Sequence, residues 1–207
     1  MSIKLVSLFP KHLDLNGDQG NLLVLAKRLQ WRGIASDIVS IDKGQSIPKE
    51  AALIFLGHGS IAAWADIESE LDHLLDDIKQ LIADGVAFMA VATGHERAIS
   101  LGLLDGTVNA SSRISKFEIA EFEGQEILGY LNSATDAPAI QKRGLLLGTQ
   151  LHGPVFAKNP TFADSYLAEI AKSRGVEFIG AELNTNASLV AGIVGQVWEL
   201  ERELASE

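Results

Sequence analysis

The chain has 207 residues, of which 47% are apolar and 21% are charged, and its net charge is −10. This length and composition are typical of a globular protein that can bury a sizeable core. The acidic balance disfavours nucleic acid as a partner. The sequence contains no cysteine, which excludes disulfides, thiolate metal sites and thiol nucleophiles from this chain.

The N-terminal segment lacks the features of a signal peptide, and no segment approaches the apolar length of a membrane span. We therefore expect a cytoplasmic protein without membrane insertion.

The first ninety residues predict the order β-α-β-β-α-β, because short apolar runs alternate with helical periodicity. The predicted strands are Ile3–Phe9, Asp37–Ile41, Leu53–Leu56 and Val86–Val91. The predicted helices are Gly20–Arg32 and Ile67–Asp84, with Asp66 as the N-cap of the second.

The second half predicts a β-hairpin, a further strand and two helices. The hairpin pairs Phe117–Phe122 with Glu126–Tyr130 around Glu123-Gly124, and Asn132–Gln141 is predicted as a loop. The remaining predicted elements are a strand at Gly144–Leu151, a helix capped by Asn159 that runs to about Arg174, and a last amphipathic helix from Leu189 to Leu204. We expect one α/β domain over residues 1–207, built on a mixed sheet.

Three predicted strand ends combine glycine with histidine. They are Gly57–Ser60, Ala92–His95 and Leu151–Pro154. Ligands of open α/β sheets bind at the carboxyl ends of the strands. Glycine leaves backbone N–H groups accessible to an oxyanion, and histidine transfers protons near neutral pH. Each stretch alone is compatible with an ordinary loop, but three together indicate a functional site.

Four other functional motifs are excluded because residues that they require are absent from the sequence. The stretch Asp14–Asp18 begins like a calcium loop, but Gln19 and Leu25 stand where that loop needs glycine and glutamate. His95-Glu96 is not followed by the second histidine of a zinc-protease helix, and neither a serine elbow nor a phosphate-binding loop occurs.

Four stretches resemble class I glutamine amidotransferases of the cobyric-acid-synthase-like branch, and most of all the glutaminase subunits of lipid II isoglutaminyl synthases. They are LDLNGDQGNLLVLAKRLQWRGI, IFLGHGS, MAVATGHERAISLGLLDG and LLLGTQLHGPVFAKNP. The resemblance implies a three-layer, flavodoxin-like class I glutamine amidotransferase fold, with a mixed, mostly parallel sheet and helices on both faces. It also implies a glutaminase partner of a Mur-ligase-like enzyme that amidates cell-wall precursor, with glutamine or a related small amide as ligand.

The resemblance assigns candidate site residues by position. His152 takes the place of the catalytic histidine, and Ala92 that of the nucleophilic cysteine. The implied oxyanion and substrate-binding residues are Gly57, His58, Gly59, Thr93, Gly94 and Arg113. Arg113 corresponds to an arginine that clamps the glutamine carboxylate, a role that suits a guanidinium fork. No cofactor and no metal are implied.

The chain departs from the family pattern at the elbow. Ala92 cannot attack an amide, His58 replaces the middle glycine of the oxyanion loop, and Thr93-Gly94-His95-Glu96 replaces Gly-Gly-Tyr-Gln. Cysteine-dependent glutamine hydrolysis is therefore expected to be impaired. Two alternatives stay open: a non-catalytic pseudoenzyme that binds a small amide or amino acid or scaffolds a partner, and a hydrolase that uses Thr93 or the histidines.

Overall fold

A computed structural model describes residues 2–179 and 185–205. The strands are β1 (Ile3–Leu8), β2 (Ser36–Ile41), β3 (Ala51–Leu56), β4 (Ala87–Val91), β5 (Ala110–Phe122), β6 (Gln125–Thr135), β7 (Ile140–Arg143), β8 (Leu146–Thr149) and β9 (Leu151–His152). The helices are α1 (Gly20–Trp31), α2 (Ile61–Ala83), α3 (Thr93–Ser100), α4 (Val155–Lys158), α5 (Pro160–Ser173) and α6 (Thr185–Ala205). The predicted order of the first ninety residues is confirmed.

The main sheet has six strands in the order β2-β1-β3-β4-β8-β7. All neighbours are parallel except β7, which pairs antiparallel with β8 at the edge. The strands β3 and β4 are buried along their whole length, as central parallel strands must be when helices cover both faces.

Two apolar cores flank this sheet. Met89 and Val91 of β4 face the core that contains α1 and α5, whereas Phe88 and Ala90 face the core that contains α2 and α3. The alternation follows from the two-residue period of a strand. The predicted fold class, with three layers and a mixed, mostly parallel sheet, is confirmed.

A second sheet stands apart from the first. It has three antiparallel strands in the order β5-β6-β9. The hairpin turns at Glu123 and Gly124, whose φ angles of 51° and 75° are the positive values of a tight two-residue turn. The hairpin is as predicted but longer, and the predicted strand Gly144–Leu151 is divided between the two sheets.

Three local predictions are wrong, and the first two concern a predicted loop and a predicted helix cap. The segment Asn132–Gln141 is not a loop, since β6 continues to Thr135 and β7 begins at Ile140. Asp66 does not cap α2, which begins at Ile61 after Ser60, and the Ser60 hydroxyl accepts from the Ala63 N–H. The Asp66 carboxylate forms an ion pair with Lys43 and a hydrogen bond with the His12 ring instead.

Asn159 precedes α5 but gives no side-chain cap. Its amide accepts from the Leu128 N–H and donates to the Leu128 and Val155 carbonyls. The residue therefore joins the second sheet to the helical layer, because a buried amide satisfies its hydrogen bonds wherever partners lie closest.

Candidate active site

The structure brings the three predicted strand ends together. The Gly57–Gly59 loop follows β3, the turn Ala92-Thr93-Gly94 follows β4, and His152 lies on β9. His58 connects them: its Nδ1 atom lies 2.9 Å from Thr93 Oγ1, and its ring meets that of His152 edge to face at 4.9 Å between centroids.

Ala92 forms a strained elbow between β4 and α3. Its backbone has φ 52° and ψ −119°, a region that L-residues rarely adopt, and its side chain is 1% exposed. The Ala92 N–H donates to the Thr149 carbonyl of β8 at 2.7 Å. Sharp strand-to-helix turns of this kind present nucleophiles in α/β hydrolytic enzymes. Here the turn presents a methyl group.

Two glycines allow close backbone approaches around the loop after β3, one to the elbow and one to Leu13. A Cβ atom on Gly94 would lie 2.4 Å from the Gly57 carbonyl oxygen and 2.6 Å from that of Leu56. A Cβ atom on Gly57 would lie 2.0 Å from the Leu13 carbonyl oxygen. Any side chain at either position would push these backbone segments apart.

The Thr93 hydroxyl holds the Gly57–Gly59 loop to α2 and α3. It accepts from the Trp64 indole N–H at 2.8 Å and from the Gly59 N–H at 3.1 Å. Its own proton has two acceptors within reach, His58 Nδ1 at 2.9 Å and the Gly59 carbonyl at 3.1 Å. Both oxygen lone pairs are thus engaged by N–H donors.

Asp18 binds a second N–H group of the same loop, that of His58. Its Oδ2 atom accepts from the His58 N–H at 3.3 Å, and its Oδ1 atom has no partner within the described residues. The side chain is fully buried, and this burial raises the pKa of Asp18 to about 6. The His58 and Gly59 N–H groups, which the family resemblance implied as oxyanion donors, therefore both donate within the protein.

Both ring nitrogens of His152 are also engaged. Nδ1 lies 2.6 Å from Asn16 Nδ2, and Nε2 lies 3.1 Å from the Asn132 carbonyl oxygen. An amide nitrogen only donates and a carbonyl only accepts, so the ring carries its proton on Nε2. Burial lowers the pKa of His152, and the Asn132 carbonyl and the Glu96 charge oppose this shift.

His58 is neutral at physiological pH. Burial lowers the pKa of His58 to about 4, and the neighbouring His152 imidazole adds to the effect. Two neutral imidazoles in edge contact leave the site without a histidine cation.

Arg113 lies at the exposed rim of the site. Its Nε and Nη2 atoms both donate to Asn132 Oδ1, at 3.1 and 2.8 Å. The backbone carbonyl of the same Asn132 contacts His152. The charge of the guanidinium contributes to the lowered pKa of His152.

His95 does not join this cluster. It is completely buried beside Gly148 of β8, where its Nε2 atom lies 2.6 Å from Gln141 Nε2. Burial lowers the pKa of His95 to about 4. Its neighbour Glu96 does reach the site's edge, where Oε1 accepts from the Thr135 hydroxyl at 2.8 Å.

Sequence reasoning did not assign roles to Asn16, Asp18, Trp64 or Asn132. The only signal for the first two was the stretch around Asp14–Asp18, which matched part of the family pattern without pointing to a contact. Across the described ranges 2–179 and 185–205, no group of three histidine, aspartate or glutamate side chains is placed to hold a metal ion. Nor does any helix in those ranges have the length and apolarity to cross a membrane.

Comparison with known proteins finds relatives that are similar in sequence and in fold. The chain is 26% identical over 219 aligned positions to "Lipid II isoglutaminyl synthase (glutamine-hydrolyzing) subunit GatD" of Staphylococcus aureus, covering 86% of this chain and 88% of the relative. The chain is therefore similar in sequence to a glutamine amidotransferase subunit and shares the fold of glutamine amidotransferases. No protein-family profile matches it.

Solved structures agree on the fold. A glutamine amidotransferase from Thermotoga maritima is 12% identical, with a TM-score of 0.50 and coverage of 99% of this chain and 95% of that one. Another glutamine amidotransferase is 16% identical, with a TM-score of 0.50 and coverage of 81% and 99%. The structure of PurLQS from Thermotoga maritima is 15% identical, with a TM-score of 0.51 and coverage of 84% and 97%. At these identities the likeness concerns the fold alone.

Proposed function

We propose that this chain is a glutamine amidotransferase-like subunit that binds glutamine or a related small amide but does not hydrolyse it through a cysteine. The observation that carries the proposal is Ala92, a non-glycine residue at φ 52° in the elbow between β4 and α3. The backbone keeps the strained geometry that presents a nucleophile, while the side chain supplies none.

The surrounding hydrogen bonds support the same proposal. Oxyanion stabilisation needs N–H groups directed at the substrate oxygen, and a general base needs a nitrogen lone pair directed at the nucleophile. The N–H groups of His58 and Gly59 donate to Asp18 and Thr93, and both nitrogens of His152 have protein partners. The two loop N–H bonds and one of the two His152 bonds would have to break before hydrolysis.

Arg113 is the group we propose for ligand binding. It is an exposed cation beside Asn132 and His152, and a guanidinium recognises the carboxylate of an amino acid through paired hydrogen bonds. In the described part of the chain, Arg113 donates to a neutral amide rather than to a carboxylate, so its charge is available to an anionic ligand.

We further propose a Mur-ligase-like protein as the partner. The support is the similarity to a relative whose name describes it as a glutamine-hydrolysing subunit of a synthase. A subunit without hydrolysis would then bind the amide or regulate the ligase rather than supply ammonia.

A glutaminase assay tests the central proposal. The purified protein is incubated with glutamine, and glutamate release is measured beside binding detected by a thermal shift. We expect binding without turnover, and weaker binding by Arg113→Ala with an unchanged unfolding temperature in the absence of ligand. Sustained glutamate release by the unaltered chain would overturn the proposal.

A cysteine placed at the elbow tests the assignment of Ala92. We expect Ala92→Cys to react with an electrophilic glutamine analogue, because strand-to-helix elbows of this kind hold nucleophiles toward their ligand. Ala98→Cys is the matched control, since it places a buried thiol on α3, the helix that follows the elbow. Equal labelling of the two variants would show that the elbow is not a nucleophile position. His152→Asn in the Ala92→Cys background is expected to slow the labelling.

The alternative of a hydrolase that uses Thr93 has less support. Although His58 Nδ1 is within reach as a base, the Thr93 oxygen already accepts from Trp64 and Gly59. An attacking hydroxyl needs a lone pair free for the new bond, so this geometry favours a positioning role for Thr93.

A further inference from the structure

Helix α6 carries a row of exposed apolar side chains. Val190, Ile193, Val197, Leu200 and Leu204 are 38, 53, 43, 64 and 51% exposed, and we call this row the α6 seam. Its spacing of three, four, three and four residues is that of the a and d positions of a coiled coil. A contiguous exposed apolar stripe of this kind marks an interaction surface.

The opposite side of α6 is already attached to the protein. The Trp198 indole N–H donates to Asn159 Oδ1 at 3.5 Å, and the Lys158 ammonium contacts Glu201 at 2.5 Å. Arg202 forms an ion pair with Glu126 of β6 at 3.1 Å. These contacts hold the helix against the second sheet and α4, and they leave the α6 seam on the outside.

The spacing of the seam selects a helix as its partner. Knobs at a and d positions fit the holes of a facing helix, whereas a strand presents side chains at a two-residue period. The partner helix must therefore be amphipathic, with an apolar seam of the same pitch, and α6 itself has that property.

The charges of α6 favour a second copy in the antiparallel orientation. Residues 185–198 contain no charged side chain, whereas residues 199–205 contain Glu199, Glu201, Arg202 and Glu203. A parallel pair would place the acidic halves side by side. An antiparallel pair places each acidic half against the uncharged half of its partner, near the positive end of the partner's helix dipole.

We propose that two copies of this chain associate through the α6 seam as an antiparallel helix pair. Each copy contributes the same side chains, so the interface is isologous and closes at the dimer. A seam of five side chains per copy is small for a protein interface, so the association is concentration-dependent. This inference is independent of the proposed ligand and of catalysis.

Sedimentation velocity on the full chain tests the proposal. We expect the weight-average mass to rise from that of the 22.2 kDa monomer toward twice that value as concentration increases from about 1 to about 200 µM, a range suited to a small interface. Leu200→Glu is expected to keep the protein monomeric throughout. Leu23→Glu on α1 is the matched control, because Leu23 is 61% exposed and Leu200 is 64% exposed.

The control is expected to dimerise like the unaltered chain. A monomer at every concentration would overturn the proposal and leave the seam for a different protein. A dimer that survives Leu200→Glu, or one that Leu23→Glu also abolishes, would place the interface elsewhere and overturn it equally.

The orientation is tested by thiol cross-linking, which the cysteine-free sequence makes unambiguous. An equimolar mixture of Val190→Cys and Leu204→Cys chains is treated with a short bismaleimide. We expect mixed cross-linked dimers, and no cross-linked product from Val190→Cys alone. Cross-linking of Val190→Cys to itself would indicate a parallel pair and overturn the antiparallel arrangement.

Discussion

At the scale of single residues, the Thr93 hydroxyl contributes more to the site's architecture than its position in the elbow suggested. One oxygen atom connects α2 through Trp64, the loop after β3 through Gly59, and the first turn of α3. Because the two N–H donors are partly buried, each of them depends on this oxygen for its hydrogen bond.

Thr93→Val is therefore expected to destabilise the protein. The substitution keeps the branched shape but leaves the Trp64 and Gly59 N–H groups without an acceptor, at a cost of about 2–4 kcal/mol in the free energy of unfolding. Urea denaturation measures it. Thr93→Ser keeps the hydroxyl and should stay within about 1 kcal/mol of the unaltered chain. Equal losses in both variants would mean that the methyl group, not the oxygen, is what matters.

The sequence allowed us to predict which residues form the candidate site, but not their hydrogen-bond partners. Glycine and histidine at strand ends, with the family resemblance, indicated Gly57–Gly59, Ala92 and His152, and the structure brings them together. The partners of His152 could not be predicted, because Asn16 lies 136 residues away in sequence. Local patterns carry no information about contacts that only the folded topology creates.

At the scale of secondary structure, α3 packs so closely on the end of β3 that its second residue must be glycine. The Gly94 hydrogen that faces β3 lies where a methyl group would meet two carbonyl oxygens, and neither belongs to a flexible side chain. The close packing sets the position of the elbow relative to the Gly57–Gly59 loop.

Gly94→Ala is expected to lower the free energy of unfolding by about 2–3 kcal/mol through overpacking. Gly192→Ala is the matched control, a glycine-to-alanine change inside α6 where an added Cβ atom meets nothing within 4 Å. Because alanine has a higher helix propensity than glycine, Gly192→Ala should stabilise the protein by about 0.5–1 kcal/mol. Thermal or urea unfolding of the pair measures the contrast, and the same sign in both would contradict the packing argument.

Element boundaries could be predicted where the apolar periodicity was strong. They were predicted wrongly where a neighbouring strand or a capping residue determines them. The buried strands and the hairpin turn at Glu123-Gly124 followed from sequence. β7 did not, since Ile140–Arg143 is a polar edge strand that exists only because β8 offers it a partner. The start of α2 was missed because Ser60 caps an alanine-rich turn that lies before the apolar stripe.

At the scale of the whole molecule, buried titratable groups make stability depend on pH in opposing ways. His58 and His95 have pKa values lowered from 6.5 to about 4, so the unfolded chain takes up protons first as the pH falls. Their contribution to stability is lost between about pH 6.5 and pH 4. Asp18, with a pKa raised from 3.8 to about 6, contributes stability that is lost as pH rises through that same interval.

His95→Gln isolates the histidine contribution. The variant should have a lower free energy of unfolding at pH 7, because it loses buried packing. Between pH 7 and pH 4.5, however, its free energy of unfolding should fall by roughly 2 kcal/mol less than that of the unaltered chain. Urea denaturation at several pH values gives the slope. His73→Gln, at an exposed position on α2, is the control and should leave the slope unchanged. Parallel pH profiles for the unaltered chain and His95→Gln would contradict the assignment.

The separation into two sheets has a mechanical consequence. Ala92 is anchored to the six-stranded sheet, while His152 belongs to the strand that pairs with the β5–β6 hairpin, and the chain passes from one sheet to the other at Gln150. A small molecule that contacted both Ala92 and His152 would therefore bridge the two sheets and restrict their movement relative to each other.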